Sequence, residues 1–102
     1  MSAENTVTVT HNAAEGRFEA EVDGAKSMAE YELQGDRIIF LHTFVPSKLR
    51  GRGIAEKLVR TGLEHARAKN LKVVPACSYV AAFIAGHAEY KPLLAMGAVR
   101  RT

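Results

Sequence analysis

The first third of the chain alternates between apolar and polar residues, a pattern typical of strands with one face in water. Three such stretches read TVTVTHN, RFEAEV and AEYELQ. Turn sequences separate them at residues 12–16, at Asp23-Gly24 and at Gly35-Asp36, and an Asp-Gly pair favours a type I′ turn. The pattern therefore predicts an antiparallel meander. The residues predicted to face the core are Val7, Val9, His11, Phe18, Ala20, Val22, Ala29, Tyr31 and Leu33.

The fourth predicted strand, RIIFLHTFV at residues 37–45, is apolar on both faces. A strand of this kind lies at the centre of a sheet and is covered by helices. Pro46 ends it, because proline cannot donate to the sheet. Strict alternation places two sets of side chains on opposite faces: Ile38, Phe40, His42 and Phe44 on one, and Ile39, Leu41, Thr43 and Val45 on the other.

The second half of the chain predicts two helices around a short strand. Apolar residues at helical spacing indicate an amphipathic helix that begins near Gly53, with Asn70 as its left-handed cap. The stretch LKVVPAC predicts a strand parallel to the fourth. A second helix is predicted over SYVAAFIAGH with Ser78 as N-cap, and a short helical piece runs from Tyr90 to Met96, where Gly97 ends it. The predicted fold is α/β (α+β) in the order β-β-β-β-α-β-α, with a mixed sheet.

Composition narrows the class of protein. The 102 residues, 47% hydrophobic and 25% charged, fit one globular domain over residues 1–102. A net charge of +3 does not by itself imply nucleic acid. One cysteine, no signal peptide and no apolar run near the ~20 residues of a membrane span favour a cytoplasmic location. The four histidines lack metal-ligand spacing, so we expect no metal, and the chain suits a monomer or a homodimer.

The segment LRGRGIAEKL carries the strongest chemical signal. The first turn of a helix leaves N–H groups unpaired and positive, so it attracts anions. Gly51 and Gly53 remove side chains that would keep a phosphate away, and Arg50 and Arg52 can add charge-assisted contacts. These unpaired amides, glycines and arginines together suit a pyrophosphate. The segment matches neither a Walker loop nor a dinucleotide fingerprint. The alternative is an ordinary helix start with solvated arginines.

The stretch Arg50, Gly51, Arg52, Gly53, Ile54 and Ala55 resembles the Q/R-x-x-G-x-G/A motif of the GNAT superfamily of N-acetyltransferases. With the P-A-C-S-Y segment that begins at Pro75, the chain is similar to a small GNAT-like subfamily of minimal, bacterial-type domains. This resemblance implies that the loop amides hold the pyrophosphate of acetyl-coenzyme A. It also implies that backbone groups near Phe44 and Val45 pair with the pantetheine arm, in a gap between strands four and five. The N-terminal strand and helix pair that builds the acceptor site in larger GNAT enzymes is missing.

Three side chains are candidates for chemistry. Cys77 precedes the second helix, where the dipole favours a thiolate that can carry an acetyl group, although a small buried hydrophobe is the alternative. His42 can deprotonate an incoming ammonium, unless it is a satisfied core histidine. Tyr90 can protonate the departing thiolate of coenzyme A, in a segment where GNAT enzymes often place a tyrosine. Tyr79 and His87 are weaker candidates for lining the cofactor arm.

The sequence therefore predicts an acyl-coenzyme A-dependent N-acetyltransferase that acts on an unidentified amine, either a small molecule or a protein lysine. An accessory or sensor domain that binds coenzyme A without catalysis is the alternative, favoured by the missing acceptor-site elements. A third reading, in which the basic cluster at residues 48–52 binds nucleic-acid phosphates, ranks last because no aromatic stacking motif accompanies it. We expect no nucleic-acid or membrane partner.

Overall fold

The computed structural model describes residues 7–95. The element order predicted from the sequence is confirmed, with one short 3₁₀ helix added at Ser47–Leu49. The short helical piece predicted from Tyr90 is a 3₁₀ helix that begins two residues earlier, Ala88–Leu93. The elements are β1 (Thr10–Asn12), β2 (Arg17–Val22), β3 (Ala25–Gln34), β4 (Arg37–Phe44), α1 (Ile54–Ala68), β5 (Lys72–Pro75) and α2 (Ser78–Ala85).

The strands form one mixed sheet in the order β1-β2-β3-β4-β5. The first four strands pair antiparallel, and β4 pairs with β5 in parallel from Arg37↔Lys72 to Phe40↔Pro75. Asp23 and Gly24 have φ angles of 53° and 76°, as a type I′ turn requires. The predicted meander followed by a βαβ unit is therefore confirmed.

Both helices pack on the same face of the sheet. Alternate residues of β2 to β4 and Val73 of β5 join the buried side chains of α1 and α2 in one cluster, which includes Phe18, Ala29, Tyr31, Ile38, Phe40, Leu58, Leu63, Val80, Phe83 and Tyr90. The opposite face has no helix among the described residues, and Leu41 on β4 is 47% exposed. The expectation that helices cover both faces of β4 is therefore wrong. Leu33, predicted to face the core, is also exposed, at the end of the β3–β4 hairpin.

A β-bulge in β4 reverses the predicted faces of its second half. Phe40 pairs with Tyr31 and His42 pairs with Glu30, so Leu41 is an extra residue. His42 consequently follows Glu30 onto the open face and is exposed, whereas Thr43 lies opposite the fully buried Ala29. The prediction that His42 lies among apolar residues on the face of Phe40 is wrong. The prediction that Thr43 lies on the opposite face from Phe40 is wrong for the same reason. A prediction based on simple alternation cannot detect an inserted residue.

The ends of the helices follow the sequence signals in part. Asn70 has a φ of 58°, and the Leu71 N–H bonds to the Ala66 carbonyl at 2.9 Å, which confirms the predicted left-handed cap. The N-cap of α2 is Cys77 rather than Ser78, because the helix begins one residue earlier than predicted. Of the first predicted strand only Thr10–Asn12 is a strand, and Thr6, Met96 and Gly97 lie outside the described residues. Neither described helix is long and apolar enough to cross a membrane.

Candidate functional site

A cavity of about 280 Å³ opens where β4 ends and α1 begins. Most of the predicted cofactor-binding residues line it, whereas Phe44 and Arg52 do not. Tyr79 of α2 closes one side of the cavity, and Glu56 lies in the first turn of α1. The complete lining is Val45, Leu49, Arg50, Gly51, Gly53, Ile54, Ala55, Glu56 and Tyr79.

The start of α1 presents unpaired N–H groups to this cavity. Gly51 and Gly53 have φ angles of 87° and 79°, in the left-handed region that favours glycine. The first backbone N–H of α1 with a partner in the helix is that of Lys57, which bonds to the Gly53 carbonyl at 3.1 Å. No side chain within residues 7–95 caps the helix. The N–H groups of residues 54–56 are therefore available to an anion in the cavity.

The two arginines of the loop have different partners. Arg50 donates from Nε to the Val45 carbonyl at 3.1 Å, and Arg52 forms an ion pair with Asp23 at 3.1 Å. The Arg52 and Asp23 side chains are 51% and 62% exposed, so this pair is weak and Arg52 can turn to another anion. The carboxylate of Glu56 pairs with Arg60 at 3.0 Å, which reduces its repulsion of an anion in the cavity.

Strands β4 and β5 separate beyond Phe40. The Cys77 N–H donates to the Phe40 carbonyl at 2.8 Å, and the parallel pairing of the two strands has ended at Pro75. The second half of β4 therefore has no paired residue in β5. Val45, which follows β4, lines the cavity at the start of α1. The gap for the pantetheine arm that the family resemblance implies between these strands stays a prediction.

Cys77 lies where the pairing of β4 and β5 has ended, and its sulfur contacts the Thr43 hydroxyl. The Thr43 hydroxyl oxygen is 3.5 Å from Sγ. Burial raises the pKa of the thiol, but the Thr43 hydroxyl and the backbone N–H groups of Val80, Tyr79 and Thr43 outweigh it, so the pKa of Cys77 lies below its usual value. These donors therefore favour the thiolate form of the half-buried Cys77.

The other two predicted catalytic residues lie elsewhere. His42 is exposed on the open face of the sheet, across from Glu30. Tyr90 is 1% exposed, and its hydroxyl donates to Glu64 at 2.7 Å rather than facing the cavity. The His87 ring donates from Nδ1 to the Phe83 carbonyl at 2.7 Å and stacks on the Phe83 ring. Of the weaker candidates, Tyr79 alone lines the cavity. Burial raises the pKa of Tyr79, and the negative charge of Glu56 adds a smaller effect in the same direction.

Sequence reasoning missed Thr43 as part of this site. Its hydroxyl reaches Cys77 only because the bulge at Leu41 turns it to the helix face. No local sequence signal marks that bulge. Within the described part of the chain, no three His, Cys, Asp or Glu side chains lie together as a metal site would require.

Comparisons with known proteins agree with this architecture. A family model described as GCN5-related N-acetyl-transferase matches residues 17–93. Protein NATD1 from Mus musculus is 33% identical over 81 residues, which cover 76% of this chain and 74% of that protein. The Homo sapiens protein NATD1 is also 33% identical, with 72% of its length covered. An NMR structure of a GCN5-like protein from Staphylococcus aureus superposes with a TM-score of 0.68 at 24% identity, over 91% of this chain and 90% of that one.

Proposed function

Because the chain belongs to the GCN5-related N-acetyltransferase family, we propose that it transfers an acetyl group from acetyl-coenzyme A to an amine. The uncapped start of α1, beside two glycines in left-handed conformation, is the observation that carries this proposal. The acceptor is a small-molecule amine or a protein lysine. The single cysteine also suits a cytoplasmic protein.

Different residues of the site would bind different parts of the proposed cofactor. The N–H groups of residues 51–56 would hold the pyrophosphate, with the guanidinium groups of Arg50 and Arg52 beside it. The backbone near Phe44 and Val45 would pair with the pantetheine amides in the gap between β4 and β5. A cavity of about 280 Å³ that extends from the first turn of α1 to Val45 and Tyr79 supports such an extended molecule better than it supports a compact anion.

Cys77 is the proposed acetyl carrier. Its thiolate attacks the carbonyl carbon of the acetyl thioester, a new C–S bond forms, and the bond to the sulfur of coenzyme A breaks. The released thiolate of coenzyme A takes a proton from solvent. The neutral amine then attacks the acetyl-cysteine, loses its extra proton and displaces the Cys77 thiolate. The lowered pKa of Cys77 supports both its attack and its departure.

His42 is the proposed base for the amine. Its exposed ring lies on the open face of the sheet, so an amine that approaches the gap from that face can lose its proton to the imidazole directly or through water. The predicted role of Tyr90 has less support, because its buried hydroxyl already donates to Glu64. A structural role fits that environment better.

A coenzyme A-binding domain without transferase activity is the second candidate. It is favoured by the connection between β1 and β2, which is a turn of four residues, 13–16, where larger GNAT enzymes place helices of the acceptor site. In that case the cavity at α1 binds coenzyme A and Cys77 takes no part in turnover.

Calorimetric titration with acetyl-coenzyme A, followed by intact-protein mass spectrometry, tests the proposal. We expect saturable binding and an adduct of about 42 Da that is lost in Cys77→Ser and discharged by an amine. Binding without an adduct, and with turnover intact in Cys77→Ser, would indicate direct transfer. Binding without any turnover over a panel of amines would favour the second candidate, and absence of binding would refute both.

A further inference from the structure

We propose that Thr43 is a positioning residue that holds the sulfur of Cys77 at the gap between β4 and β5. This inference rests on the proposed role of Cys77 as the acetyl carrier. It concerns a residue that neither the loop motif nor the P-A-C-S-Y segment includes.

The bulge in β4 is what makes the contact possible. Without the extra residue at Leu41, alternation would place Thr43 on the open face of the sheet, away from α2. With the bulge, Thr43 lies opposite Ala29 on the helix face, and its hydroxyl oxygen is 3.5 Å from Sγ of Cys77. Bulges re-aim side chains next to functional sites, and this one directs a hydroxyl to the candidate nucleophile.

The hydroxyl of Thr43 can serve both ionisation states of the sulfur. It accepts from the S–H of the thiol and donates to the thiolate, because a hydroxyl has one proton and two lone pairs. The backbone N–H groups of Thr43, Tyr79 and Val80 near the sulfur can only donate. Thr43 therefore keeps the sulfur in one orientation both before and after the thiol loses its proton. The backbone N–H groups alone would favour only the thiolate.

The test uses the fact that Cys77 is the only cysteine in the chain, so alkylation of a thiol reports on this sulfur alone. The rate of reaction with iodoacetamide is measured from pH 5 to pH 10 for the wild type, Thr43→Val, Thr43→Ser and Thr43→Ala. Valine keeps the branched shape without the hydroxyl, and serine keeps the hydroxyl without the methyl group. Thr61→Val, on α1, is the matched control.

We expect Thr43→Val and Thr43→Ala to lower the alkylation rate at pH 7 by about threefold to tenfold, as a rise of up to one pKa unit requires. Thr43→Ser should restore most of the wild-type profile, and Thr61→Val should not change it. Circular dichroism identifies variants that do not fold. If Thr43→Val does not fold, Thr43→Ala alone tests the loss of the hydroxyl.

Folded Thr43→Val and Thr43→Ala proteins with a wild-type pH profile would overturn the inference. A Thr43→Ser protein that behaves like Thr43→Val would also overturn it, because packing rather than the hydroxyl would then be responsible. Failure of the proposed function has a different signature. In that case the alkylation profile still depends on the Thr43 hydroxyl, but the wild type binds no acetyl-coenzyme A.

Discussion

The Tyr90 hydroxyl donates a hydrogen bond to Oε2 of Glu64 over 2.7 Å, although the residue is only 1% exposed. The guanidinium of Arg67 lies 5.4 Å from the centre of the Tyr90 ring, and that of Arg60 lies 6.0 Å from it. These contacts join the 3₁₀ helix Ala88–Leu93 to the outer side of α1. Burial and the bond to Glu64 raise the pKa of Tyr90, with Arg60 opposing them, which suits a permanent hydrogen-bond donor.

Tyr90→Phe should therefore affect stability more than catalysis. Loss of a hydrogen bond to a charged carboxylate should lower the free energy of unfolding by about 1–2 kcal/mol in a urea titration. We expect the rate of acetyl transfer to change by less than about twofold at saturating substrate. A large fall in kcat with unchanged stability would instead support the role of Tyr90 as the proton donor.

Gly53→Ala should weaken the binding of coenzyme A. An alanine at a φ of 79° is strained, and its Cβ would enter the open space in front of the first turn of α1. We expect a loss of about 1–2 kcal/mol in the free energy of unfolding and about a tenfold rise in the Kd for coenzyme A.

Gly35→Ala is the matched control for that substitution. Gly35 also has a positive φ, 60°, with nothing within 4 Å of an added Cβ, but it lies in the β3–β4 turn. It should lose a similar amount of stability and keep the wild-type Kd. Equal weakening of binding by both substitutions would mean that global stability, rather than the helix start, controls binding.

The sequence predicts the fold well because its patterns are local. The alternation in β2 and the Asp23-Gly24 turn each depend on a few neighbouring residues, and the structure has both. The glycine and arginine pattern likewise identified the segment whose amides face the cavity. These features are set by backbone conformation and helical or strand periodicity, which a single sequence records directly.

The features that could not be predicted from the sequence depend on contacts between distant segments. His42 and Thr43 exchange faces because β3 and β4 pair with one residue extra, which neither strand alone reveals. Tyr90 is directed to Glu64 by the packing of the last 3₁₀ helix against α1, 26 residues earlier in the sequence. The candidate site therefore could be located from the sequence, but its side-chain partners could not.

Arg52→Gln should reduce affinity for coenzyme A without reducing stability. The exposed pair with Asp23 contributes little to folding, so the midpoint of unfolding should be nearly unchanged. Loss of one charge beside the pyrophosphate should raise the Kd by about threefold to tenfold at low salt, and the difference from the wild type should shrink at high salt. Arg67→Gln, at the far end of α1, should bind like the wild type. Equal effects of the two substitutions would exclude a specific contact from Arg52.

A pair of histidines should make the stability of the fold depend on pH. The ring of His11 on β1 stacks on Phe18, bonds to the Tyr31 hydroxyl and lies 4.5 Å from the ring of His65 on α1. Desolvation lowers the pKa of both histidines; the charge of His65 adds to the effect on His11, and that of Lys69 to the effect on His65. Phe18 and Tyr31 contribute no positive or negative charge at this contact.

The direction of the pH effect follows from these lowered pKa values. In the unfolded chain both histidines take up protons near their ordinary pKa of about 6.5, whereas the folded chain resists protonation until a lower pH. Their contribution to the free energy of unfolding is therefore full above pH 6.5 and is lost as the pH falls through the lowered values. Urea titrations at pH 7.5, 6.5 and 5.5 should show this decline.

His65→Gln should make the decline in stability shallower, because it removes one titrating group and the charge that acts on His11. His42→Gln, which changes an exposed ring on the other face, should leave the slope unchanged. If His65→Gln keeps the wild-type slope, other groups are responsible for the decline.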